Sequence, residues 1–84
     1  MHILPSYDNT FVMIAMPAIG KDAIVHANFD GNILYEKTLE DLVDAINLFN
    51  ENEVIVLEPI CNSISVLDLK SYKWRNIPHY FIFE

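Results

Sequence analysis

Asp30-Gly31-Asn32 stands between two β-prone runs, Ala23-Ile24-Val25-His26-Ala27-Asn28-Phe29 before it and Ile33-Leu34-Tyr35-Glu36 after it. Asp-Gly can place both central turn residues at φ > 0, the condition under which a tight turn matches the twist of its strands. The motif predicts a β-hairpin over residues 23–36 and commits a large part of a short chain to antiparallel sheet. Phe11-Val12-Met13-Ile14-Ala15-Met16, bounded by Asp8-Asn9 and Pro17, is apolar at every position. Glu53-Val54-Ile55-Val56-Leu57-Glu58, stopped by Pro59, has an equally unbroken apolar centre. Short runs of this kind read as strands covered on both faces.

Between the hairpin and the run at 53–58 the pattern changes to a helical one. Thr38 is placed as an N-cap, and Asp41 three residues on forms a capping box with Asp where Glu is preferred. Leu39, Leu42, Val43, Ile46 and Phe49 follow the spacing of one buried helix face, with Glu40, Asp44, Asn47 and Glu51 opposite. This predicts an amphipathic helix from Thr38 that ends at Asn50 to Asn52.

The stretch Ile64–Trp74 reads as a hairpin from its β-branched and aromatic content, with a helix capped by Ser63 as the other reading. Ile64-Ser65-Val66-Leu67-Asp68-Leu69 through Trp74 resembles the strand–turn–strand of a kelch propeller blade over about eleven residues, without the paired glycines. The resemblance implies a hairpin; 84 residues are too few to close a propeller within one chain. A last strand, His79-Tyr80-Phe81-Ile82-Phe83, follows Pro78, and no internal repeat is visible. The expected fold is α+β: a single small domain over residues 1–84, with a mainly antiparallel sheet of four to six strands and one amphipathic helix packed on one face.

Charge narrows the classes of partner. The net charge is −7, and residues 36–58 carry seven acids against Lys37, a local −6. Residues 59–84 carry Asp68 and Glu84 against Lys70, Lys73 and Arg75, a local +1. Direct nucleic-acid binding is excluded on this reading, because a polyanion is repelled and no basic stripe exists to displace counterions. A protein with a basic surface is the favoured partner. No apolar run approaches the roughly 20 residues of a membrane-spanning helix, so no membrane partner is expected. Met1-His2-Ile3-Leu4-Pro5 lacks the form of a secretory signal, and a single cysteine, Cys61, suits a reducing compartment, so a cytoplasmic location is expected. Eleven isoleucines and eight asparagines, residues with A+T-rich codons, point to a phage or mobile-element source.

Candidate chemistry is sparse. His2, His26 and His79 are far apart and Cys61 stands alone, so no metal-ligand spacing emerges. Asp30-Gly31-Asn32 opens like a calcium loop, but Leu34 and Tyr35 fall where a ligand and the sharp-turn glycine belong. Ser63, Ser65, Asp68 and His79 lack a Gly-x-Ser-x-Gly elbow, and two isolated glycines cannot cradle a phosphate. The expectation is a protein without catalytic activity, cofactor or metal. Candidate partner-binding residues are the acids Glu40, Asp41, Asp44, Glu51 and Glu53, Trp74 between Lys73 and Arg75, and Tyr80 and Phe81 of the last strand. They suggest a small acidic interaction module, an inhibitor that occludes a basic, nucleic-acid-handling protein. The alternative is a homodimeric accessory or structural subunit joined through sheet edges.

Overall fold

A computed structural model describes residues 3–39, 43, 45–58 and 63–77. Eight strands fall within them: β1 (Ile3–Ser6), β2 (Thr10–Ala18), β3 (Lys21–Asn28), β4 (Ile33–Thr38), β5 (Ala45–Asn50), β6 (Glu53–Glu58), β7 (Ser63–Asp68) and β8 (Trp74–Ile77). They form two four-stranded antiparallel sheets, each a simple meander, in the orders β1-β2-β3-β4 and β5-β6-β7-β8.

The expected α+β class is therefore corrected to mainly β, with no helix among the described residues. The segment assigned to an amphipathic helix supplies β5 instead, and its residues 40–42 and 44 lie outside the described residues. In β5 the apolar residues also satisfy a period of two, which puts Ile46 and Leu48 on one face and Ala45 and Phe49 on the other. Ile46 pairs with Val56 and Asn47 with Ile55. That pairing satisfies one backbone edge of β6, whose other edge bonds β7. A short run that fits both periods goes to the state with more tertiary partners. The sheet of four to six strands becomes two sheets of four.

Among the described residues the other strand expectations are met: Phe11–Met16 lies in β2, residues 53–58 form β6, and Ile64–Trp74 spans most of β7, the turn and the start of β8. The hairpin around Asp30-Gly31 is β3–β4, but its turn differs from the expected one. Only Gly31 has positive φ, at 95°, and the Asn28 side-chain carbonyl accepts the N–H groups of Asp30 and Asn32, each at 3.0 Å. The two-residue turn with both central residues at positive φ occurs instead at Asp8-Asn9, with φ of 49° and 59°, joining β1 to β2. The expected strand at 79–83 lies outside the described residues.

The sheets pack face to face. Val12, Ile14 and Ile24 of the first sheet meet Val54, Val56 and Leu67 of the second, joined by Leu39 and Leu69, all buried. β1 lies against β5. Tyr7, just past the end of β1, donates to the Leu69 carbonyl, at the end of the second sheet where β5 also ends (2.9 Å). Near the start of β4, the Tyr35 hydroxyl accepts from Trp74 Nε1 at the start of β8 (2.9 Å). Matched strands thus run the same way, and the second sheet repeats the first by a shift across the interface. The crossover from β4 to β5 is held by Asp22: its carbonyl accepts Leu39 N–H (2.8 Å) and its buried carboxylate accepts Val43 N–H (2.9 Å).

Candidate functional site

Three places gather polar, acidic or exposed apolar residues. The first is the corner where β5 turns into β6. Asn50, Glu51, Asn52, Glu53 and Asp68 line an open concavity of about 450 Å³. Most of its polar groups are committed to holding the turns. Glu53 accepts from Asn50 Nδ2 (2.6 Å) and forms an ion pair with Arg75 (3.4 Å). The Asp68 carboxylate accepts the N–H groups of Ser71 (3.0 Å) and Lys70 (2.7 Å), and these bonds hold it below the usual carboxylate range. Glu51 is exposed and reaches a second hollow of about 360 Å³ with Pro5, Ser6, Tyr7 and Leu48.

The second place is a seam between the sheets. The fully buried His26 on β3 shares a hydrogen bond between Nδ1 and the Tyr72 hydroxyl (2.9 Å). Its Nε2 is buried without a hydrogen-bond partner among the described residues, and burial pushes the imidazole below its ordinary value. Tyr7 lies 5.7 Å from the His26 ring, and Tyr72 stacks on Tyr35 at 4.4 Å. Burial raises both the Tyr7 and Tyr72 hydroxyls above their ordinary range. Trp74 closes the row, half-buried, with Lys37 Nζ 5.0 Å above its ring. Tyr72 holds a left-handed backbone (φ 58°) within the β7–β8 turn, and this directs its ring back across the interface.

The third place is the outer face of each sheet. Side chains alternate along a strand, so Ile3, Phe11, Met13 and Val25 point away from the second sheet, and a bulge in the β3–β4 pairing sets Ile33 opposite Ala27 on that same side. Phe29 joins them, its ring 4.9 Å from that of Phe11. Val25 is buried at the centre, whereas Ile3, Phe29 and Ile33 at the margin are 59%, 60% and 62% exposed. The outer face of the second sheet carries Ile64 and Val66, both buried, and Ile55, Leu57 and Ile77, half-buried, with exposed Phe49 beneath the Arg75 guanidinium at its margin.

Of the sequence-predicted partner residues, Glu51, Glu53 and Trp74 fall at the corner and the seam. Glu40, Asp41, Asp44, Tyr80 and Phe81 lie outside the described residues. Tyr7, Tyr35 and Tyr72 escaped the sequence reading. The bonds joining Tyr7 to Leu69 and His26 to Tyr72 cross 62 and 46 residues, which no local spacing reveals. No group of three His, Cys, Asp or Glu residues with metal-holding geometry occurs among the described residues, nor any helix long and apolar enough to cross a membrane. No family model matches the chain, and comparison with curated proteins and solved structures returns no match.

Proposed function

We propose that this protein is a non-enzymatic association module whose binding surfaces are the apolar outer faces of its sheets. The observation that carries this reading is the first sheet's outer face, which runs from buried Val25 to largely exposed Ile3, Phe29 and Ile33. Contiguous exposed apolar surface marks interaction sites. An acidic module aimed at a basic partner has less support. Its rigid helix is absent from the described residues, and Glu53 and Asp68 are spent on Arg75 and on a turn. Assembly through sheet edges is disfavoured on one side, where β1 is four residues long and Pro5 withholds an N–H. A cytoplasmic setting, suited to a chain with one cysteine, belongs to the same proposal.

The test is Phe29→Glu combined with Ile33→Glu, both at exposed positions. Association of the wild type, with itself or with another chain, is expected to persist at high salt and to vanish in the double variant at an unchanged melting midpoint. Association that ignores the double variant but disappears at high salt would return the function to the acidic surface.

A further inference from the structure

We infer that the occupant of these faces is a second copy of this chain, stacked head to tail, with the outer face of one copy's first sheet on the outer face of the next copy's second sheet. This rests on the face-binding reading given above. Within the chain the two sheets are stacked in the same order and direction, β1 on β5 and β4 on β8. The contact is therefore heterologous, between unlike faces, and can be repeated from copy to copy. Repetition needs an apolar face at each end of the two-sheet unit. Phe11, Met13 and Ile33 provide one, and Ile55, Leu57 and Ile77 the other.

Charge fixes the pairing. Inside the chain the inner side of β4 meets β8 through Tyr35 and Trp74. Repeating that packing sets the outer side of β8 in one copy against the outer side of β4 in the next. Arg75 lies on that side of β8, opposite Val66, and Glu36 on that side of β4, opposite Val25. Glu36 is exposed, and the Arg75 side chain remains 54% exposed despite its contact with Glu53. Successive four-stranded meanders stacked face to face in one sense are the blades of a propeller, which closes at about four to eight sheets. The described residues supply two sheets, so a ring of such units takes roughly two to four copies.

The experiment is sedimentation velocity of the full chain over a concentration series, with Glu36→Arg, Arg75→Glu and the double charge swap. Circular dichroism and melting midpoints control for folding. The expected result is a discrete assembly of two to four copies, weakened roughly tenfold or more by each single reversal and restored by the double swap. A monomer at every concentration overturns the inference, as does an assembly that tolerates Arg75→Glu. The broader reading survives a monomer if the immobilised wild type captures another protein and the Phe29→Glu, Ile33→Glu variant does not; if neither binds, both fall.

Discussion

Replacing His26 with leucine should change how the protein responds to acid. The imidazole is fully buried, its Nε2 lacks a partner among the described residues, and no described carboxylate hydrogen-bonds the ring. Tyr7 and Tyr72 face it, both neutral near pH 7, so a second ring proton would place an unpaired positive charge between the sheets. Its folded-state value therefore lies below the ordinary 6.5, and the unfolded chain binds the proton more readily. The stability tied to neutral His26 is complete above pH 6.5. It is lost as pH falls below 6.5 towards the folded-state value, at up to about 1.4 kcal/mol per pH unit. Against a total of roughly 4–13 kcal/mol for a chain of 84 residues, one unit of acidification is a substantial loss.

Urea unfolding of the wild type and His26→Leu at pH 8, 7, 6 and 5.5 reads this directly. At pH 8 the variant loses about 1 kcal/mol with the Tyr72 hydrogen bond. As pH falls, the difference shrinks or reverses, because leucine cannot be protonated. His2 and His79 are present in both proteins and cancel. Parallel loss of stability in the two proteins below pH 6.5 would refute the argument.

Asp68 should act in a lower window. Hydrogen bonds from Ser71 and Lys70 depress its carboxyl below the ordinary 3.8, so its contribution is present above that value and lost on further acidification. Asp68→Asn should flatten that acid limb in a urea series while changing little at pH 7. Leu67→Ala, fully buried where the sheets meet, should cost about 2–5 kcal/mol by urea titration, and a loss under 1 kcal/mol would show that the sheets do not share a core. A double-mutant cycle of Tyr35→Phe and Trp74→Phe should return a coupling of about 0.5–1.5 kcal/mol for the bond between β4 and β8, and strict additivity would place these strands apart.

Much of the strand content was legible because its signals are local. Asp30-Gly31 between two β-prone runs, and the apolar blocks at 11–16 and 53–58, need no distant partner to be recognised. The Asp8-Asn9 turn was equally local, since both residues tolerate positive φ, but the strand before it is only four residues long and contains Pro5. Asp30-Gly31 announces a hairpin without specifying its turn; the Asn28 side chain settled that by capping two N–H groups.

Helix against strand at 45–50 was beyond the sequence. Ile46 and Phe49 accommodate both periods, and the free edge of β6 decides between them by offering hydrogen bonds that a helix would leave unmade. The candidate surface was hidden for a related reason. Alternation shows that β2 and β6 are apolar on both sides, but which side meets the other sheet depends on the stacking of β1 on β5 and β4 on β8. The chain itself determines how much apolar surface there is and where it turns. Only tertiary packing decides which part becomes core and which is left for a partner, because burial is a property of neighbours brought together from distant positions.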